Sequence, residues 1–151
     1  MTKTEEILKQ YDDQEDFYKE FASDMESLIL EIINHKNINF FSISKRKTVI
    51  KSRESLVKKI DHTVNKYKSI RDVTDIVALR IITYFEDDVD KIGTVIRKNF
   101  TIDKSNSIDK GEVLETNRFG YRSVHHVASL NKKSLRSRNL RNIKDSKSKY
   151  K

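Results

Sequence analysis

The stretch Ile76-Val77-Ala78-Leu79-Arg80-Ile81-Ile82-Thr83-Tyr84 is apolar at almost every position. A half-exposed strand would alternate and an amphipathic helix would repeat every three or four residues. An apolar run on both parities predicts a strand covered on two faces, at the centre of a sheet. Arg80 inside such a strand needs a partner, because an unpaired buried charge is costly. Asp72, Asp75 and Glu54 are the acidic residues that could serve.

The elements around this strand follow from spacing. Phe17, Phe21, Met25, Leu28, Ile29, Ile32 and Ile33 recur at three- and four-residue intervals and predict an amphipathic helix from about Gln14 to about His35. Asn39 to Ile50 is rich in β-branched and aromatic residues around Lys45-Arg46-Lys47 and reads as a strand or hairpin. Ser52 is placed to cap a helix carrying Leu56, Ile60 and Val64, and Asp87 or Asp88 to open another carrying Val89, Ile92, Ile96 and Phe100. Lys104 to Asn117 reads as a loop, and Gly120 to Leu130 as the last strand. The order predicts an α/β or α+β fold, a small mixed β-sheet flanked by helices. It divides into an N-terminal amphipathic helical segment over 1–37, a domain over 38–130 and a basic tail over 131–151.

Charge sharpens that division. The formal net charge is +8, but residues 131–151 hold nine Lys and Arg against one Asp. Residues 1–130 then hold 22 basic and 22 acidic residues, so the body is neutral. Nucleic-acid-binding domains carry their basicity on a folded face, so this distribution argues against a nucleic-acid partner except through the tail. With few large apolar groups among those cations, the tail is expected to be disordered. No cysteine is present, which removes disulfides, thiolate metal sites and a cysteine nucleophile. No apolar stretch approaches the length of a membrane span, and the start of the chain is acidic where a signal peptide would be basic then apolar. A cytoplasmic protein without a membrane partner is the expectation.

Three sets of residues could carry chemistry. Lys51, Ser55 and Lys59 recur every four residues, so two cations and a hydroxyl share one side near a helix N-terminus, suited to a polyphosphate; a lysine-rich solvated face would look the same. Asp75 stands at the mouth of the apolar strand, where a carboxylate can hold Mg²⁺ against phosphates or simply cap a turn. Tyr121, Ser123 and His125 alternate along the last strand and share its polar face, with Val124, Ala128 and Leu130 on the other. After Gly120, Tyr121 is either a stacking platform for a base or part of an ordinary solvent face. His125 and His126 point to opposite faces, which makes the pair a poor metal site.

The strings KSRESLVKKI, SIRDVTDIVALRIITYF and RFGYRSVHHV, in this order and spacing, resemble the synthetase domain of the RelA/SpoT family, particularly its small single-domain members. The resemblance covers roughly Phe41 to Leu130. It implies a nucleotidyltransferase-like fold and transfer of the β,γ-pyrophosphate of ATP to the 3′-hydroxyl of GDP or GTP, making ppGpp or pppGpp. It implies ATP contacts for Lys51, Ser55 and Lys59, a Mg²⁺ ligand in Asp75, a guanine-stacking Tyr121 with His125 beside it, and it allows a homo-oligomer. Two departures accompany it. Val49 stands where the family usually has arginine, with Arg46 or Lys47 as candidate substitutes. The E-x-Q-[IV]-R-T strand, whose glutamate activates the 3′-hydroxyl, does not follow Leu130; Glu112 and Glu115 precede Tyr121 and do not match it. The resemblance therefore leads to the expectation of a fold incomplete at its C-terminus, without its catalytic glutamate. An active synthetase, a non-catalytic guanine-nucleotide binder and a basic nucleic-acid-associated module are the three classes to be separated.

Overall fold

The computed structural model describes residues 1–40, 42–63, 65–109 and 123–131, and for residues 44–49 and 109 the backbone alone. The expected disordered tail beyond Asn131, Val64, Gly120, Tyr121 and both Glu112 and Glu115 lie outside the described residues. The chain forms two compact units, Met1–Glu26 with Ser44–Arg80, and Ser27–Ile43 with Ile81–Lys151.

Helix α1 runs from Lys3 to His35, beginning well before the expected start near Gln14. Its first turn is closed by a reciprocal pair: the Glu5 amide donates to Thr2 Oγ1 at 3.2 Å and the Thr2 amide to Glu5 Oε2 at 2.7 Å. That is the T-x-x-E capping box, which satisfies two amides that no helical carbonyl can reach. Beyond its last residue the chain turns at Asn37, whose φ of 53° is left-handed. There the Ile38 amide returns to the Ile33 carbonyl at 3.2 Å and the Asn37 amide to that of Asn34 at 3.1 Å. This is a Schellman ending with asparagine in the position usually given to glycine.

In the first unit Ile7, Leu8 and Tyr11 of α1 pack with Ile50, Leu56, Ile60, Tyr67, Ile70, Val73 and Ile76 in one buried cluster. Strand β1, Ser42–Ile50, leads into helix α2, Arg53–His62. Ser52 is its N-cap, accepting from the Ser55 amide at 3.2 Å, and Leu56 and Ile60 are its buried side. A 3-10 turn at Ile70–Asp72 follows, with Asp72 Oδ2 taking the Lys68 and Ser69 amides at 2.7 and 3.0 Å. Strand β2, Val77–Ile82, then pairs with β1 in a two-stranded sheet.

The expectation of a doubly covered central strand is corrected here. Among the described residues β2 has β1 as its sheet neighbour, Arg80 is exposed, and Ile82 and Tyr84 are 44% and 63% exposed. Continuous apolarity is compatible with central placement but does not enforce it, since coverage depends on what the rest of the chain supplies. Arg80 meets water and needs no buried partner.

In the second unit helix α3, Glu86–Asn99, buries Ile92, Gly93, Val95 and Ile96. Phe85 is its N-cap with no side-chain cap bond, so neither Asp87 nor Asp88 opens it. Asp88 is instead buried within its first turn, where Lys91 Nζ approaches Oδ1 at 3.3 Å. Strand β3, Phe100–Ile102, pairs antiparallel with β6, Ala128–Leu130, and β4, Ile108–Asp109, with β5, Val124–His125. The single last strand of the sequence reading is thus two short ones, and part of the expected loop is strand.

Between the two ladders the first chain holds residues 103–107 where the second holds 126 and 127. Asp103 folds the excess into a turn: its Oδ1 accepts the Ser105 and Asn106 amides at 3.1 and 3.3 Å, and its carbonyl accepts Ser107 Oγ at 2.7 Å. Val127 closes the gap, donating to Ser107 Oγ at 2.9 Å and accepting from the Asp103 amide at 2.8 Å. Such a bulge interrupts the two-residue alternation. Ala128, expected on the covered face, is accordingly exposed. The α+β class holds, with three two-stranded sheets among the described residues in place of one mixed sheet.

Candidate functional site

The junction of β1 with α2 brings three of the sequence-predicted residues together. Lys51 is not on the helix, as its four-residue spacing from Ser55 suggested; it is the residue between the end of β1 and the Ser52 cap. Its amide donates to the Ile76 carbonyl at 2.7 Å, which anchors it opposite the start of β2. Asp75 immediately precedes that carbonyl. From there it accepts Lys51 Nζ on Oδ2 at 2.9 Å and Lys59 Nζ on Oδ1 at 2.8 Å. Two ammonium groups, one from a strand end and one from the second turn of α2, therefore converge on one carboxylate.

The electrostatics of this cluster are balanced towards cation. Burial pushes the Asp75 carboxyl up, but the hydrogen bonds from Lys59 and Lys51, with their charges, outweigh it and hold it below its ordinary value. The carboxylate stays ionised at neutral pH, and two ammonium charges against one carboxylate leave the cluster at +1. The Lys51 side chain is 11% exposed and that of Lys59 27%, so both charges sit in a partly desolvated setting.

Ser55 is exposed, one turn into α2, and its hydroxyl accepts from Ser52 Oγ at 2.9 Å. Its own amide is taken by the same Ser52 oxygen. His125 is exposed on β5, with Nε2 at 3.1 Å from Ser123 Oγ. Tyr121 and the side chain of Val49 lie outside what is described, and within the first unit the geometry joins Lys51, Lys59 and Asp75.

One residue at this junction escaped the sequence reading. Tyr11 of α1 donates its phenol to the Lys51 carbonyl at 2.6 Å in a buried setting. Ser52 does more than cap, since it also orients the Ser55 hydroxyl. The readable signal for Tyr11 was its three- and four-residue spacing from Leu8 and Ile7, which places it on the same helical stripe. Beside the junction, Tyr11, Asp12, Glu15, Lys19, Ile50, Ser52 and Arg53 line a cleft of about 320 Å³. Its wall contains the ion pairs Arg53–Asp12 at 3.4 Å and Lys19–Glu15 at 2.8 Å, and it flanks the lysine–aspartate cluster without including it.

Residues 48–146 match the family model described as the region found in RelA / SpoT proteins. The chain belongs to the RelA/SpoT family. The match takes in Lys51, Ser55, Lys59, Asp75, Tyr121 and His125, and it runs on past Leu130 to Ser146. Neither a curated protein nor a solved structure matches the chain. Among the described residues of this RelA/SpoT member, no helix is long and apolar enough to cross a membrane, and no group of three or more His, Cys, Asp or Glu side chains is placed to hold a metal ion.

Proposed function

We propose that this chain binds the polyphosphate of ATP at the Lys51–Asp75–Lys59 cluster, as the donor side of a RelA/SpoT-type synthetase. The observation that carries the reading is the convergence of both lysine ammoniums on one carboxylate at the start of α2. A triphosphate offers each ammonium a stronger anionic partner than the shared Asp75, and Ser55 adds a hydroxyl one turn further on.

The family reaction is pyrophosphate transfer. The 3′-oxygen of GDP or GTP attacks the β-phosphorus of ATP, the bond from that phosphorus to the α,β-bridging oxygen breaks, AMP leaves, and the 3′-proton passes to a base. Catalysis of such a step is mostly positioning and charge neutralisation. Lys51 and Lys59 would hold and neutralise the donor phosphates; Tyr121 would stack on guanine and His125 would lie beside it.

The cluster also limits how Mg²⁺ can enter. A single carboxylate already engaged by two ammoniums fits a metal that arrives with phosphates, not one bound by protein alone. Bound with ATP, Mg²⁺ would share its charge between Asp75 and the phosphate oxygens. The residues present fit that role, with Asp75 as the ligand this chain supplies.

The sequence contains no E-x-Q-[IV]-R-T segment. A polypeptide of these 151 residues is therefore proposed to bind nucleotide without completing the transfer. Calorimetry tests the donor site. Mg·ATP is expected to bind, Mg²⁺ alone to give no heat, and Lys59→Ala to weaken Mg·ATP by about 10- to 100-fold, the worth of one charge-assisted hydrogen bond. Equal affinity of Lys59→Ala and the parent would remove the cluster from the ATP site.

A further inference from the structure

We propose that Tyr11 is a positioning residue for Lys51: its phenol, reaching from the N-terminal helix, fixes the peptide that turns β1 into α2 and so sets the Lys51 ammonium on Asp75. The idea deepens the donor-site reading above and rests on it for its link to nucleotide binding. Lys51 is held at three points. Its carbonyl accepts Tyr11 Oη at 2.6 Å, its amide donates to the Ile76 carbonyl at 2.7 Å, and its Nζ donates to Asp75 at 2.9 Å.

The last two bonds both lead to adjacent residues, Asp75 and Ile76, so they fix Lys51 against the start of β2. The Tyr11 bond acts on the opposite side of the residue, on the peptide shared with Ser52. Because Ser52 is the cap of α2, that peptide also sets where the helix carrying Ser55 and Lys59 begins. Tyr11 is 4% exposed and Lys51 9%, so no water easily replaces the phenol, and the carbonyl left behind by its loss would be a buried acceptor without that donor. Burial, with Glu15 nearby, pushes the phenol above its ordinary value, which keeps the proton on the donor through neutral and mildly alkaline pH. A tyrosine used only to fill the core would not need this bond, and phenylalanine separates the two roles because it keeps the ring.

The experiment uses the full chain and reads Lys51 directly. Acetylation rates of individual lysines are followed by mass spectrometry in the parent, in Tyr11→Phe and in Gln10→Ala. Gln10 is the neighbouring α1 residue, whose Oε1 accepts the Ile70 amide at 3.0 Å; its loss loosens the same helix without touching Lys51. In Tyr11→Phe, Lys51 is expected to react about 3- to 10-fold faster, the range for one buried hydrogen bond, and Mg·ATP to bind weaker by a similar factor. Lys58, exposed on α2, is expected to react as in the parent, which reports that the fold is intact. Gln10→Ala is expected to leave the Lys51 rate and the affinity unchanged. An unchanged Lys51 rate in Tyr11→Phe overturns the proposal, as does an equal rise in Gln10→Ala, which would make the effect one of general loosening. A parent that binds no Mg·ATP overturns the donor-site reading, while the ratio of Lys51 rates still decides the role of Tyr11.

Discussion

Asp75 ties the stability of the first unit to the proposed donor site through the same two ion pairs. Its carboxyl is raised by burial and lowered further by Lys59 and Lys51, with a net fall below the ordinary value. A carboxyl whose folded value is depressed binds fewer protons in the folded state, so it contributes stability above its unfolded value and loses it as pH falls through the folded one. The window for Asp75 therefore lies below about pH 4, the ordinary aspartate value. Urea midpoints of the parent and Asp75→Asn are expected to differ by a constant amount between neutral pH and about pH 5, and to converge below about pH 4. Both proteins should still weaken in acid, because Asp72 is likewise held low, first by the backbone amides of Lys68 and Ser69. A gap that stays constant down to pH 3 would mean that the two lysines do not discriminate the ionised form in solution. The partnership itself was only half visible in the sequence. The four-residue spacing of Lys51, Ser55 and Lys59 announced a shared side, but the carboxylate that gathers the lysines comes from another element, and no local periodicity encodes that.

At the level of elements, the most informative departure is the start of α1. The polar run Asp12-Asp13-Gln14 obscures the helical repeat, yet Ile7, Leu8 and Tyr11 continue it, and the T-x-x-E pattern at Thr2 to Glu5 marks the cap. Those three residues belong to the core of the first unit, and Ile7 is fully buried. Ile7→Ala is expected to cost ~2–5 kcal/mol in chemical denaturation, the range for emptying a packed aliphatic site. A loss under 0.5 kcal/mol would show that the first two turns of α1 do not dock in solution. Helices α2 and α3 were legible because their apolar residues repeat on one side, and Ser52 was legible as a cap because its chemistry is local. The strand pairing around Asp103 was not. Its turn is built from side-chain hydrogen bonds of Asp103, Ser107 and Asn106, which leave no periodic trace, and it separates the two ladders. The exposure of β2 was hidden for a related reason, since apolar content records what a strand can bury and not what arrives to cover it.

For the molecule as a whole, charge and chemistry divide differently along the chain. The body to residue 130 is neutral, so the +8 of the whole describes residues 131–151 and says little about a nucleic-acid surface on residues 1–130. The proposed donor site lies in the neutral body, and these 151 residues hold no E-x-Q-[IV]-R-T segment to supply a proton acceptor. A 3′-hydroxyl is a weak nucleophile at neutral pH, and a positioned general base typically contributes ~10²–10⁴-fold. Asp75 is a poor substitute because two ammoniums already hold it ionised and below its ordinary value, which lowers its affinity for a proton. A polypeptide of these 151 residues, given Mg²⁺, ATP and GTP, is therefore expected to yield no ppGpp or pppGpp by chromatography. The same polypeptide carrying an appended E-x-Q-[IV]-R-T segment is the comparison, and a rise in melting temperature with Mg·ATP separates intact binding from a failed fold. Product from the 151 residues alone, abolished by Asp75→Asn, would show that another carboxylate of this chain, such as Glu112 or Glu115, accepts the proton. Product only from the extended polypeptide would place the general base in the appended strand and leave Lys51, Lys59 and Asp75 with the donor phosphates.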